Sequence, residues 1–342
     1  MRFSTIAALL SIAASVVAAP APQGASTEDA EAPAAPAAPA APGAASLQDV
    51  ATTGYATMNG GTTGGKGGKV VQVSTWAALQ SAVQGDAPAI VVVSGSLRPT
   101  SSGKKGAALK IGSNKTIVGK DNKAVIMGGG LSMKGVKNVI IRNLTIQKVL
   151  APTDAIGIQD TTNVWVDHVD LSSDMTHDKD YYDGLLDITH AGDFVTVSNS
   201  YLHDHYKASL VGHSDSNGAE DRGHLRVTYH NNYWKNLNSR GPSLRFGTGH
   251  VYNNYYENMN DAINTRQNAQ VLVQSNVFVG SSKPLYNQDG GKATQMDNNL
   301  GSAKTANVAA AALKEMPYKS TILPAVGVKA AVVGQAGATL TF

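Results

Sequence analysis

The chain has 342 residues with 28 Lys+Arg against 25 Asp+Glu, a net charge of +3, and only 15% of residues are charged, so no global basic field points to nucleic acid. It contains no cysteine, which excludes disulfide scaffolds, thiolate metal sites and cysteine nucleophiles. Its 35 glycines and 42% hydrophobic residues fit a turn-rich β protein with a sizeable core, and argue against a coiled coil or wholesale disorder.

Residues 1–19 place Arg2 before an apolar run rich in small residues that ends in Val-Ala-Ala before Pro20, the layout of a secretory signal peptide. The apolar run is shorter than the roughly 20 residues needed to span a bilayer, so a cleaved signal and a secreted, extracellular product are expected, with no membrane anchor. Residues 20–46 include EAPAAPAAPAAPGAA. Proline every third residue prevents a regular helix, and alanine offers too little apolar area to offset chain entropy, so this stretch reads as a linker or propeptide. The first 46 residues hold one cation and three carboxylates, which leaves +5 on a single expected domain over 47–342. From Tyr55, GYATMNGGTTGGKGGKVVQV reads as a glycine-rich loop running into a strand.

A short strand then recurs: NVIIRNLTI (138–146), NVWVDHVDL (163–171), FVTVSNSYL (194–202), RVTYHNNYW (226–234), HVYNNYY (250–256) and VLVQSNVF (271–278). Alignment puts Ile141, Val166, Val197, Tyr229, Val251 and Val273 in register at spacings of 25, 31, 32, 22 and 22 residues. Units this short cannot close their own cores, but stacked coils bury the Val/Ile face and pair backbone between rungs, the pattern of a parallel β-helix. Two positions after each aligned residue stand Asn143, His168, Asn199, Asn231, Asn253 and Ser275, expected to stack as a polar ladder at a turn. The longer intervals carry the insertions DMTHDKDYYDGLLD (174–187) and GHSDSNGAEDRGH (212–224), and loops on one face of a solenoid form a groove where function collects. After Lys304, VAAAALKEM and AAVVGQAGA suggest a short helix and a tail covering an end or side of the solenoid.

Asp183 and Asp187 are four apart, so on a strand they point to one face, with Asp154 one coil earlier stacked beside them. Three carboxylates without cysteine suit a hard cation such as Ca2+ better than zinc, although solvated loop acids give the same spacing. His203, His205 and His213 offer a rival metal set, or hydrogen-bond backbone in a stacked turn. Lys207, Arg240 and Arg245 form a cationic strip, with Gly241 and Pro242 imposing a rigid bend between the arginines. Guanidinium forks bind carboxylates bidentately, so a polymer with a carboxylate on every sugar suits such a strip, as do surface salt bridges.

At NVWVDH (163–168), DGLLDITHAGDFVTVSNSYLHDHYKASLVG (183–212), VTYHNNYW (227–234), RGPSLRFG (240–247) and HVYNNYY (250–256), the chain resembles the polysaccharide lyase family 1 pectate lyases, especially secreted fungal ones, over roughly residues 53–290. The resemblance implies an all-β, single-stranded right-handed parallel β-helix that cleaves polygalacturonate by calcium-assisted β-elimination. It implies calcium ligation by Asp154, Asp183 and Asp187, substrate contact by Lys207 and Arg245, and proton abstraction by Arg240, in a monomer. Some relatives carry a further ligand where this chain has Pro152, and some a Glu where it has Asp183. Guanidinium groups hold their proton to about pH 12.5 or beyond, so a guanidine base implies an alkaline optimum. The alternatives are a calcium-independent lyase of esterified pectin, a hydrolase using Asp183 and Asp187 as acid and base, and a noncatalytic wall-binding solenoid. The three-carboxylate set, the arginine pair and an unsaturated product separate the first reading from these. Asn114-Lys-Thr116 and Asn143-Leu-Thr145 are glycosylation sequons, with Asn143 the poorer acceptor if it lies in an internal ladder.

Overall fold

The computed structural model describes residues 45–100, 106–303, 306 and 308–342, so the expected signal segment 1–19 and nearly all of the 20–46 linker lie outside the described residues. The described chain winds into a parallel β-solenoid of three sheets, one of ten strands and two of eight. Among the described residues the strand pairs in these sheets are parallel, and each sheet's hydrogen-bonded neighbours come from successive turns of the chain. Val/Ile-rich strands separated by polar corners cannot bury their apolar face locally, and stacking turn on turn removes it from water.

The predicted register holds residue for residue. In the ten-stranded sheet Ile141 lies against Val166, Val166 against Val197, Val197 against Tyr229, Tyr229 against Val251 and Val251 against Val273. The same row extends toward the N-terminus through Ile117, Val91 and Val71. Inside the tube one contiguous apolar core runs from Val73 to Ala293. Trp234 stacks on Tyr256 at 5.7 Å and Tyr256 on Phe278 at 4.4 Å, the same interior position on three successive turns.

The polar ladder stands one residue away from its expected place. Asn143, His168, Asn199, Asn231, Asn253 and Ser275 all have φ between 48° and 56°, so they are the left-handed corner residues that turn the chain from the ten-stranded sheet into the next. Asparagine tolerates this conformation better than most residues. The continuous ladder is Asn232, Asn254, Asn276 and Asn298, where each side-chain oxygen accepts the backbone N–H and the amide of the preceding member at 2.9–3.0 Å. These amides also donate to Val197, Tyr229, Val251 and Val273 carbonyls, satisfying buried corner groups that would otherwise be orphaned.

The ends are closed by segments outside the repeat. Helix Trp76–Ala82, N-capped by Thr75, lays Leu79 on the first turn. At the other end Ala310 bridges Ala293, while the run 308–316 forms no helix; the C-terminal helix is Ala325–Val332. From there the tail runs back along the corner of the solenoid. Asn253 and Leu323 exchange two hydrogen bonds, Gly337 donates to the Asn199 carbonyl, and Asn143 and Leu340 exchange another pair. Asn143 is fully buried by these contacts, which closes it as a glycosylation acceptor in the folded chain.

Candidate active site

The third sheet carries strands Ile156–Gln159, Leu186–Thr189, Leu210–Val211, Ser243–Arg245 and Asp261–Arg266 on successive turns. Its flanks receive the two long insertions, one ahead of Leu186 and one after Val211. Of the sequence-predicted site residues, Asp187 and Arg245 lie on these strands, and Asp154, Asp183, Lys207 and Arg240 lie on the segments that lead into them.

Asp154 stands at the corner ahead of its strand, and its Oδ1 accepts the Gly184 N–H at 3.0 Å. Asp187 lies on the strand opposite Gly157, with Oδ1 accepting the Leu210 N–H at 2.9 Å. Asp183 is not on a strand: residues 183–185 turn the corner before Leu186, so the shared-face argument from a spacing of four does not apply. The three carboxylates converge all the same, from a corner, a loop and a strand. Burial, followed by the charges of Asp187 and Asp183, pushes the Asp154 carboxyl well above the usual carboxylate range. Asp187 is likewise raised, by burial first, with Arg240 opposing the shift. Two glycines clear the space: a Cβ on Gly184 would lie 2.4 Å from Asp187 Oδ1, and one on Gly157 would lie 3.3 Å from Asp154 Oδ2.

The cations face this cluster. Lys207, last residue of strand Tyr201–Lys207, places Nζ 3.1 Å from Asp180 Oδ1 and 3.5 Å from Asp183 Oδ1. Arg240, at a corner with φ 66°, brings Nη1 to 3.9 Å from Asp187 Oδ2. Arg245 lies one residue beyond the buried Leu244 and pairs its Nε with Asp215 Oδ1 at 2.5 Å. The bend between the arginines is fixed from inside: Tyr256 Oη donates to the Gly241 carbonyl at 2.8 Å, and a Cβ on Gly241 would strike Met259.

The three histidines do not form a rival metal set. His203 bonds Asp204 and Asp170, His205 points inward, and His213 packs on His190 at 4.4 Å. His205 is a supporting residue that spacing did not reveal. Its Nε2 donates to the Asp183 carbonyl, so its Nδ1 accepts from Ser173 Oγ, both at 2.5 Å. Burial lowers its pKa to about 4, which keeps the ring neutral and this tautomer in place at neutral pH.

Among the described residues no group of three or more His, Cys, Asp or Glu side chains is drawn into a ready-made metal cage. The donor set nonetheless fits a hard divalent cation. It is all oxygen, its carboxylates repel one another when buried, and glycines leave room beside them. Pro152 is exposed and carries no side-chain oxygen to add to this donor set.

Comparison with known proteins decides the family. A family model described as pectate lyase matches residues 36–339. The chain belongs to the pectate lyase family. It is 58% identical over 293 residues to a probable pectate lyase A of Neosartorya fischeri, covering 85% of this chain and 89% of that one. It is 56% identical over 299 residues to pectate lyase A of Aspergillus niger, covering 87% and 90%. Among solved structures it is similar to a pectate lyase from Bacillus sp. N165 in complex with trigalacturonate, with TM-score 0.75, 30% identity, and coverage of 84% of this chain and 98% of that one. Membership makes the chain a polysaccharide lyase, and the family's parallel solenoid is the fold described above.

Proposed function

We propose that this protein cleaves pectate, the de-esterified (1,4)-α-D-galacturonan of plant cell walls, by β-elimination at the carboxylate-and-cation strip of the third sheet. The observation that carries the reading is the meeting of three carboxylates with Lys207 and Arg240 from successive turns, Arg240 lying 3.9 Å from Asp187 and Lys207 3.5 Å from Asp183. A neutral polymer needs no such pairing of a hard-cation site with a cationic strip, whereas a polyuronate presents a carboxylate to each.

In this reading Asp154, Asp183 and Asp187 hold Ca2+, and the ion, when bound, withdraws charge from the uronate carboxylate and acidifies its C5 proton. Lys207 and Arg245 bind carboxylates of the chain and fix its register. Arg240, in its neutral form, takes the C5 proton on a guanidine nitrogen; the C5 electrons form the C4–C5 double bond, and the C4–O4 bond breaks with its electron pair on the oxygen, which takes up a proton from solvent. The products are a new chain end and a 4,5-unsaturated uronide. His205 and Tyr256 act by holding the Asp183 and Gly241 backbone. Water is not consumed, which separates this from hydrolysis.

Residues 1–19 serve in this reading as a secretory signal and 20–46 as a linker or propeptide, delivering a monomeric domain outside the cell. Among the described residues no helix is long and apolar enough to cross a membrane. The net charge of +3 supports no nucleic-acid role. The test is a polygalacturonate assay with and without chelator, following the ultraviolet absorbance of the unsaturated product. Chelator-sensitive absorbance supports the proposal. Reducing ends without absorbance, or turnover of highly esterified pectin that ignores chelator, refutes it.

A further inference from the structure

Arg245 and Arg266 are cross-strand partners on adjacent turns of the third sheet, so their guanidinium groups sit one rung apart. One carboxylate bridges them. Asp215 Oδ1 meets Arg245 Nε at 2.5 Å and its Oδ2 meets Arg266 Nη2 at 3.0 Å. Arg245 also donates from Nη1 to the Gly212 carbonyl at 3.1 Å, and Arg266 has a second, longer contact to Asp289 at 3.7 Å. Rotamers of both arginines are therefore set by their surroundings, and the anion between them is supplied by the protein.

The source of that anion differs in kind from the sheet residues it binds. Asp215 belongs to the 212–224 insertion, whose far side is anchored: Asp221 is fully buried and accepts the Ala191 N–H, and Arg222 lies over the Phe246 ring at 4.8 Å. Gly212 is held at the other side by its N–H to Ile188. Between these anchors His213, Asp215 and Ser216 are exposed. The Asp215 side chain is 49% exposed, whereas those of Arg245 and Arg266 are 11% and 21% exposed. The carboxylate can thus swing into solvent while the arginines stay in place.

We propose that Asp215 is an internal stand-in for a substrate carboxylate, neutralising Arg245 and Arg266 when the subsite is vacant or faces an esterified sugar and yielding them to a free uronate. This rests on the reading of Arg245 as a substrate contact. Exchange of one carboxylate for another lowers the net gain from each free uronate. It also spares the arginines from standing uncompensated beside a methyl ester. Asp215 would then set how sharply the enzyme discriminates between free and esterified sugars.

The experiment is steady-state kinetics at saturating calcium on polygalacturonate and on partly methyl-esterified galacturonan, at low and high NaCl, for the full secreted chain. Asp215→Asn removes the charge with little change of shape, and Asp215→Ser serves as a second variant. The expected result is a KM on polygalacturonate lower by about three- to tenfold, the range for displacing one partly exposed carboxylate from a guanidinium pair. KM should also depend more steeply on salt, because two cations are uncovered. The preference for de-esterified over esterified substrate should widen, and Asp289→Asn should shift KM less than Asp215→Asn does. Arg245→Gln, run in parallel, should raise KM on polygalacturonate. If it does and Asp215→Asn leaves KM unchanged or raises it, Asp215 positions the arginines and the proposal is overturned. If Arg245→Gln leaves KM unchanged, the substrate-contact reading itself fails, and the proposal with it.

Discussion

Replacing Asp187 by Asn should strengthen the calcium-free protein while disabling it. Asp187 is buried beside Asp154 and Asp183, with Arg240 at 3.9 Å as its ion-pair partner. Asparagine retains an oxygen for the Leu210 N–H and removes a desolvated negative charge. Asp154 then loses the larger of its two carboxylate repulsions. Each unit by which a folded-state pKa is raised corresponds to about 1.4 kcal/mol, and carboxylates buried beside others are raised by one to several units, so the substitution should stabilise chelated protein by about 1–3 kcal/mol at pH 8. The sign follows from proton linkage. A carboxyl whose folded pKa lies above its unfolded value of 3.8 holds protons that the unfolded chain has released, so stability falls as pH rises from there through the raised folded value. Below pH 3.8 both states are protonated and the advantage of the variant vanishes. Urea melts of chelated wild type and Asp187→Asn at pH 4 and pH 8 measure it. Calcium should raise the midpoint of wild type and leave the variant unmoved, while its unsaturated-product rate falls by about 100-fold or more. A variant less stable than wild type at pH 8, or a difference independent of pH, would refute the picture of repelling buried carboxylates.

Arg240→Lys keeps a positive charge but loses the planar fork and its reach, and should cut product formation to about 1% or less with KM altered by less than about threefold; wild-type turnover should rise above neutral pH. Asn254→Ala deprives the Asn232 N–H and the Tyr229 and Tyr252 carbonyls of partners, and should cost about 3–5 kcal/mol in urea unfolding with kcat preserved in the folded fraction. Deleting residues 339–342 strips Phe342 from the cluster of Ile90, Val92 and Val118 and unpairs Asn143 from Leu340. It should lower stability by about 2–4 kcal/mol without changing KM, because these contacts lie on sheets away from the carboxylate strip.

The coil register was legible because it depends on one repeated physical demand. Each turn must present an apolar residue at the same point of the tube, so Ile141, Val166 and Val197 could be aligned across insertions of different length, and the sheet pairs them as aligned. The corner was harder to read. HNN and YNN runs contain two adjacent polar residues, and sequence alone does not say which takes the left-handed turn and which points inward. The backbone resolves this: Asn231 and Asn253 have positive φ, and Asn232 and Asn254 carry the buried amide chain. The C-terminal segment holds the expected short helix, at Ala325–Val332, and the covering tail, while the alanine-rich run at 308–316 extends the sheet edge through Ala310.

The site divides along the same line. Residues that face the groove from the repeat itself, Asp187, Lys207 and Arg245, inherit their positions from coil register and could be named from order along the chain. Those that tune it could not, because their partners are set by side-chain reach between turns or by an inserted loop, neither of which the repeat fixes. His205 lies two residues from Lys207 yet serves Asp183, 22 residues earlier, and Tyr256 reaches Gly241 from the core of a later turn. Asp215 lies 30 positions before Arg245 and 51 before Arg266, and it meets both because its insertion folds over two rungs. A solenoid therefore separates two kinds of functional information. The repeat determines which charges share a face, and the inserted loops determine which of those charges are free to meet a substrate. On this proposal, variation in loop 212–224 would retune discrimination between free and esterified sugars without replacing Arg240 or any of the three carboxylates, none of which lies in that loop.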